Sequence, residues 1–188
     1  MRLHKLLALV VGATYLSVQT ARAAEIEGVQ FADRYRWQET ELRLNGVGVL
    51  RYRVFIKGYA AAFYLGEQAA PSQALDRVPR RLEIEYFWSI PAERLSEAMF
   101  AGIARNVDAR TFESLKQTIQ QFSTLYEDVE PGDRYAITYI PGVGTELALN
   151  GEPKGLIEGD DFSAALFSIW LGEKALDAAL RERLLAAG

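Results

Sequence analysis

Cysteine is absent from this chain of 188 residues, and the only histidine is His4. Without cysteine there is no disulfide, no thiolate nucleophile and no thiolate metal ligand. Ser–His and Cys–His catalysis, histidine-bound zinc and histidine-ligated haem all require an imidazole, and His4 lies in a segment that we expect to be removed. Acid–base chemistry would therefore depend on Asp, Glu, Lys or Tyr. Carboxylates are scattered, without calcium-loop or phosphate-loop spacing, so we predict neither a cofactor nor a metal site.

The first 23 residues have the pattern of a secretory signal peptide. The basic residues Arg2 and Lys5 precede an apolar run over residues 6–18, and Ala21-Arg22-Ala23 has the small-x-small pattern of a cleavage site. The alternative is an uncleaved anchor, but the run is short for a bilayer span of about 20 apolar residues. We therefore predict cleavage after Ala23, a single domain over residues 24–188, and a periplasmic or secreted location without membrane insertion.

Charge narrows the class of partner. Cleavage would remove Arg2, Lys5 and Arg22 but no acid, which changes the formal net charge from −4 to −7. A negative protein is a poor match for nucleic acid or for an anionic membrane surface. Hydrophobic residues make up 49% of the chain, enough for one domain to bury a core.

Strand and helix patterns occur in separate blocks along the chain. Alternating runs come first, two amphipathic helices occupy the middle, and a hairpin and two further helices complete the chain. The strands are expected over residues 29–37, 40–44, 49–65, 81–88, 134–140 and 145–149, and the middle helices over 91–106 and 108–126. The run over 49–65 is either one bent strand or two strands that meet near Gly58. A parallel α/β sheet would need regular strand–helix alternation. The blocks predict an α+β domain with a mainly antiparallel sheet and helices on one face.

Short polar motifs predict where elements begin and end. Asn45-Gly46 and Asn150-Gly151 are typical of tight turns, because both positions tolerate positive φ. Asp108 is expected to cap the second middle helix, and Asp160 or Asp161 the helix after the hairpin. The last two acids could also be a metal or acid–base pair, but adjacent residues at a helix start point in different directions, and capping explains them.

The candidate site lies in the segment from residue 46 to residue 65. In one continuous strand, Arg51, Arg53, Lys57 and Tyr59 share a face, and inward-facing cations are costly to bury unless they are paired or bind an anion. This predicts an anion site, with the Arg51 guanidinium as a fork donor to a carboxylate. The alternatives are a solvated strand face or cations paired with nearby acids, namely Glu39, Glu41, Glu83 or Glu85. One bulge would exchange the faces of Arg51 and Arg53.

Three segments cover most of the predicted domain. They read LNGVGVLRYRVFIKGYAAAFYL over residues 44–65, RLEIEYFWSIPAERLSEA over 81–98, and GVGTELALNG followed by GLIEGDDFSAALFSIWLG over 142–172. In these segments the chain resembles the chalcone isomerase-like family, in its bacterial secreted branch. The resemblance implies an open-faced β-sandwich, in which a large antiparallel sheet is backed by helices, with a cleft between the two layers.

The family uses this cleft in different ways. Plant enzymes close a chalcone into a flavanone, plastid relatives bind fatty acids through an Arg and neighbouring hydroxyls, and some mitochondrial relatives are associated with haem. Arg51 falls near the ligand-binding Arg of the family, and Tyr59 near a Thr of the enzymes. The Tyr and Asn on the enzymes' helix correspond to Leu95 and Gly102 here, and their late Thr falls near Glu152 or Pro153.

The resemblance therefore predicts a non-catalytic domain that binds a small amphipathic carboxylate such as a fatty acid. Its ligand contacts would be Arg51 and Tyr59, with Arg53 and Lys57 nearby. One alternative is an isomerase or intramolecular lyase of unknown substrate, in which Arg51 stabilises a developing anion and Tyr59 donates a hydrogen bond. The other is a structural or protein-interaction domain whose cleft is filled by its own side chains.

Overall fold

The structure is a computed structural model that describes residues 24–52 and 56–186. The predicted signal peptide, residues 1–23, and the predicted ligand contact Arg53 lie outside the described residues.

A curved antiparallel sheet forms one layer of the domain. Seven strands pair in chain order, from β3 to β9, and two short strands form a separate hairpin, β1–β2. The strands are β1 (Ala24–Ile26), β2 (Val29–Phe31), β3 (Arg34–Trp37), β4 (Thr40–Tyr52), β5 (Ile56–Gly66), β6 (Arg80–Tyr86), β7 (Arg134–Ile140), β8 (Gly144–Leu149) and β9 (Glu152–Glu158). The α+β prediction, with a large antiparallel sheet, is confirmed.

Four helices form the second layer. They are α1 (Ala92–Asn106), α2 (Ala109–Ser123), α3 (Asp161–Leu171) and α4 (Ala178–Leu185). Nine of the eleven residues of α3 are buried, so this helix lies at the centre of the layer. Gly102 lets α1 approach it closely, since a methyl group at that position would lie 2.8 Å from Ile169 Cγ1.

Alternation along the strands divides the core between the two faces of the sheet. Alternate residues of β5, from Tyr59 to Leu65, share one cluster with the helices. The residues between them, Ala60, Ala62 and Tyr64, pack in a second cluster with the β1–β2 hairpin. We call these the helix side and the hairpin side of the sheet.

Two of the local predictions are confirmed. Asn150 and Gly151 both have positive φ, 53° and 84°, in the turn between β8 and β9. The Asp108 carboxylate accepts hydrogen bonds from the Arg110 and Thr111 backbone N–H groups and so caps α2. Both features depend only on residues next to each other in the chain, which is why the sequence pattern identifies them.

The turn predicted at Asn45-Gly46 is wrong. Strand β4 continues through it, and Asn45 is an extra residue in a β-bulge between the pairs Leu44–Tyr64 and Gly46–Phe63. The buried Asn45 side chain donates from Nδ2 to the Leu184 carbonyl oxygen, 2.7 Å away. A hydrogen bond between residues 139 positions apart in the chain thus takes the place of the predicted turn.

The capping role predicted for Asp160 or Asp161 is also wrong for Asp160, which stands at the N-cap of α3 but makes no capping bond. Its carboxylate accepts from the Gly142 backbone N–H and the Tyr139 hydroxyl, and pairs with Arg77 Nε at 2.6 Å. These donors, the Gly142 N–H first among them, lower the pKa of Asp160. The carboxylate therefore ties the β7–β8 turn to the start of α3.

None of the described helices combines the length and apolar character that crossing a bilayer requires.

The bulge at Asn45 generates a stability prediction. A methyl group at Gly46 would overlap the Arg183 carbonyl oxygen and lie 2.8 Å from that of Leu184, and both are backbone atoms. We expect Gly46→Ala to lower the free energy of unfolding by about 2–3 kcal/mol, because α4 must move away from the sheet. Urea denaturation measures the change.

Gly66→Ala is the matched control, since its methyl group would meet nothing closer than Pro79 Cδ at 3.4 Å. It should change stability by less than about 1 kcal/mol. Equal effects of the two substitutions would show that close packing of α4 on β4 is not what Gly46 provides.

Candidate functional site

An apolar cavity of about 250 Å³ lies between the helix side of the sheet and helices α1 and α3. Strands β4 to β6 and the segment after β6 provide Leu50, Gly58, Tyr59, Ile84, Tyr86, Trp88 and Ile90; the helices and the loops next to them provide Arg94, Leu95, Ala98, Met99, Tyr126, Ile169, Trp170 and Leu176. Trp88, Arg94, Ala98 and Leu176 are exposed, so the cavity opens to solvent between these side chains.

The polar groups inside the cavity are tyrosine hydroxyls. The Tyr59 hydroxyl oxygen accepts a hydrogen bond from Trp170 Nε1, 2.9 Å away, which leaves the hydroxyl proton without a described acceptor. The Tyr86 hydroxyl has no hydrogen-bond partner among the described residues, and Tyr126 makes only a long contact of 3.9 Å with Met99 Sδ. The cavity therefore offers hydrogen-bond donors in apolar surroundings.

Burial keeps these hydroxyls neutral. It raises the pKa of Tyr59, Tyr86 and Tyr126 well above the usual value of 10, because a phenolate would lose its hydration inside the protein. The Tyr59 and Tyr86 rings pack edge to face with centroids 5.8 Å apart. At neutral pH these three hydroxyls are therefore uncharged and can donate hydrogen bonds to a ligand oxygen.

Arg94 is the single cation among the described residues that line the cavity. Its side chain is 71% exposed at the opening, and Nη1 lies 2.8 Å from Glu97 Oε2, one helical turn further along α1. An exposed pair of this kind contributes at most about 1 kcal/mol, so the guanidinium can exchange Glu97 for another anion.

The expectation that Arg51 is sheltered and unpaired is wrong. Arg51 Nη2 and Lys57 Nζ each lie 2.5 Å from a different carboxylate oxygen of Glu27, and both basic side chains are more than 40% exposed. Glu27 belongs to the turn of the β1–β2 hairpin, on the hairpin side of the sheet. Hydrogen bonds from Lys57 and then Arg51 lower the pKa of Glu27. The alternative of paired cations is the correct one, although the acid is not among those we named.

A second β-bulge explains this placement. The register runs from the pair Leu50–Tyr59 to the pair Arg51–Lys57, so Gly58 is an extra residue in β5. Directly paired residues share a face of the sheet, which puts Tyr59 with Leu50 in the cavity and Lys57 with Arg51 outside it. Of the predicted ligand contacts that the structure describes, only Tyr59 lines the cavity; the role of the others in ligand binding stays a prediction.

Among the described residues, no carboxylate that could act as a catalytic acid or base lines the cavity. Its described lining contains neither Asp nor Glu, and the tyrosines have raised pKa values. Leu95 occupies the cavity wall, while Gly102 lies against α3, so neither provides a functional group.

Sequence reasoning missed Arg94, Tyr86 and Trp170 as site residues. Arg94 stands one residue before Leu95 and four before Ala98, which both line the cavity, so helical spacing could have placed its guanidinium at the edge of the inner face of α1. Tyr86 shares the inner face of β6 with Ile84. No local pattern indicates the bond from Trp170 to Tyr59, which joins residues 111 positions apart.

A larger hollow, of about 800 Å³, lies beside Arg77, Arg80 and Asp160, and its polar lining with charges of both signs is less suited to an apolar ligand. Arg80 is buried there, but its guanidinium already donates to the Ala74 carbonyl oxygen and to Ser163 Oγ. We therefore take the tyrosine-lined cavity as the candidate site.

The raised tyrosine pKa values predict an alkaline instability. Because each folded-state pKa lies above the unfolded value of about 10, the stabilising contribution is complete below about pH 10 and is lost as the pH rises towards the folded-state pKa. We expect Tyr59, Tyr86 and Tyr126 to ionise only when the protein unfolds. Ultraviolet difference titration of the wild type and of Tyr59→Phe and Tyr86→Phe measures this; ionisation of these hydroxyls near pH 10 in folded protein would contradict it.

Comparisons with known proteins agree with the geometry. The crystal structure of a fatty-acid binding protein from Arabidopsis thaliana matches with a TM-score of 0.70 at 14% sequence identity, over 87% of this chain and 96% of that one. At this identity the likeness concerns the fold. No curated protein matches the chain in sequence. The sequence model described as chalcone isomerase-like matches residues 23–186, nearly the whole of the described fold. The chain belongs to the chalcone isomerase-like family.

Proposed function

We propose that this protein is a non-catalytic binding domain for a small amphipathic carboxylate such as a fatty acid. The observation that carries the proposal is the apolar cavity, at whose opening Arg94 is the one cation among the described lining residues. An apolar pocket with a few placed polar groups is the usual form of a small-molecule site. The fold is shared with a plant fatty-acid binding protein, which supports the same ligand class.

The carboxylate is placed at the opening and the apolar chain inside. An ionised carboxylate is costly to bury unless it is paired, and the described lining deeper in the cavity contains no cation. At the opening, Arg94 can pair with it while water hydrates the remaining oxygen. The Tyr59 and Tyr86 hydroxyls lie deeper and suit an uncharged acceptor, such as a keto or hydroxyl oxygen, on the buried part of the ligand.

Cavity size limits the ligand. A water-sized group takes up about 30 Å³, so a cavity of about 250 Å³ holds about eight methylene-sized groups. Each buried methylene adds about 0.8 kcal/mol of binding free energy, close to fourfold in affinity. Affinity for saturated fatty acids should therefore rise about fourfold per carbon up to about eight carbons and then level off.

Octanoate tests the proposal by isothermal titration calorimetry. We expect Arg94→Gln to weaken octanoate binding about fivefold, the effect of one exposed ion pair, and to leave methyl octanoate binding unchanged. Leu95→Trp should abolish binding of both ligands, because the indole fills the cavity. Arg105→Gln, an exposed arginine on the same helix, and Arg51→Gln, already paired with Glu27, are the controls and should bind as the wild type does.

The proposal fails if wild-type protein binds no fatty acid, or if folded Leu95→Trp protein binds octanoate normally. A loss of binding in Arg51→Gln, with none in Arg94→Gln, would move the carboxylate to the hairpin side of the sheet. Turnover of a chalcone or related enone that is lost in Tyr59→Phe would support the isomerase alternative instead.

We further propose that the chain is exported and cleaved after Ala23, giving a periplasmic or secreted protein. The basic start, the apolar run and the Ala21-Arg22-Ala23 triplet support this, as does a family match that begins at residue 23.

Expression of the full chain in a Gram-negative host tests the export proposal. Intact mass spectrometry of the periplasmic fraction should give a protein that begins at Ala24. Ala23→Arg should block processing and leave the longer protein, since the cleavage position requires a small residue. A wild-type chain that keeps residues 1–23 would contradict the proposal.

A further inference from the structure

Large apolar side chains are concentrated at one place on the surface. Among the described residues, four are at least 45% exposed: Ile56 at 45%, Trp88 at 58%, Leu156 at 45% and Leu176 at 46%. Trp88 and Leu176 line the opening of the cavity. Leu156 is apart from them, in the edge strand β9.

Ile56 belongs to the same surface as Trp88 and Leu176. It is paired with Tyr52, two positions beyond Leu50 along β4, so it lies on the helix side of the sheet, past the cavity. Trp88 Nε1 donates to the Lys57 carbonyl oxygen at 2.7 Å, which holds the indole against the start of β5. We call Ile56, Trp88 and Leu176 the apolar rim.

We propose that the apolar rim docks on the surface of a lipid bilayer, so that ligand passes between bilayer and cavity without crossing water. This inference rests on the proposed function, because an acyl chain needs such a route while a water-soluble ligand does not. Trp88 and Leu176 of the rim also line the cavity, so the apolar surface continues from the rim into the cavity. Trp88 is the side chain most suited to a membrane interface, since its indole N–H is already bonded.

The shape of the rim favours a bilayer over a protein partner. Its three residues come from three separate segments around an opening rather than forming a groove for a helix or strand. Protein bound there would cover the opening through which ligand must pass. A bilayer surface supplies the ligand and covers the exposed apolar groups at the same time.

Charges near the rim match zwitterionic lipid. Arg94 at the opening is paired with Glu97, while Arg51 and Lys57 lie with Glu27 on the hairpin side of the sheet, away from the rim. The arrangement presents both signs of charge and produces no strongly cationic surface, in keeping with the negative net charge. We therefore expect docking on phosphatidylcholine without a requirement for anionic lipid.

Flotation with phosphatidylcholine vesicles tests the proposal on the purified full chain. The double variant Trp88→Ala/Leu176→Ser should reduce the vesicle-bound fraction at least about tenfold, because it removes most of the apolar area of the rim. Leu156→Ser is the matched control, equal in exposure to Leu176 but away from the opening, and should bind like the wild type. Residues 1–23, where present, are common to all variants and cancel in the comparison.

Tryptophan fluorescence gives a second measurement. Vesicles should shift the emission of the wild type to the blue and leave that of the double variant unshifted, since Trp88 is the exposed tryptophan at the rim. Equal vesicle binding by wild type and double variant, or an equal loss in Leu156→Ser, would overturn the proposal. So would a concentration-dependent dimer that disappears in the double variant, because a second copy would then cover the rim.

Octanoate titration in the absence of vesicles separates this inference from the proposed function. Ile56 belongs to the rim but not to the cavity lining, so an Ile56→Ser variant that binds octanoate as the wild type does but binds vesicles less strongly supports docking as a distinct role of the rim. A wild type that binds octanoate but never vesicles overturns docking and leaves the proposed function intact. A wild type that binds vesicles through the rim but binds no fatty acid overturns the proposed function alone.

Discussion

One unpaired residue, Gly58, decides which side chains of β5 reach the cavity. Because Gly58 has no pairing partner in β4, Tyr59 is paired with Leu50 on the helix side, whereas Lys57 is paired with Arg51 on the hairpin side. Basic side chains are thus kept out of the apolar interior, where an unpaired cation would be costly. Glu27 neutralises them at the surface instead. The cavity is left with neutral donors, and its single described cation stands at the opening.

The central helix α3 joins this cavity to the rest of the core. Its Ile169 packs against Gly102 of α1, and the next residue, Trp170, donates to the Tyr59 hydroxyl of the sheet. Sheet and helices are therefore held at a fixed separation around the cavity, and the Tyr59 oxygen is already occupied as an acceptor. Such an arrangement favours binding by apolar burial, with charge recognised only where water can still hydrate the ligand.

Features set by neighbouring residues were predictable, and features set by distant ones were not. The turn at Asn150-Gly151 and the cap at Asp108 need only local geometry, and the structure confirms both. Asn45 and Asp160 carry equally good local signals, yet each bonds to a partner from another part of the fold, the Leu184 carbonyl oxygen and the Gly142 N–H. At Asn45 a buried hydrogen bond contributes more than a turn whose polar groups water could satisfy. At Asp160 the carboxylate gains several partners at once, the Gly142 N–H, the Tyr139 hydroxyl and the Arg77 guanidinium, in place of a cap.

From the sequence alone came the α+β class, the order of strands and helices, and the resemblance that led to the family, because periodicity and motif order are properties of the chain itself. Tertiary structure decided the sides on which Arg51 and Lys57 lie, the acid that pairs with them, and the choice of Arg94 as the cation at the cavity. The physical reason is the two-residue period of a strand: one inserted residue reverses the facing of the side chains that follow, and only strand pairing shows where the insertion falls.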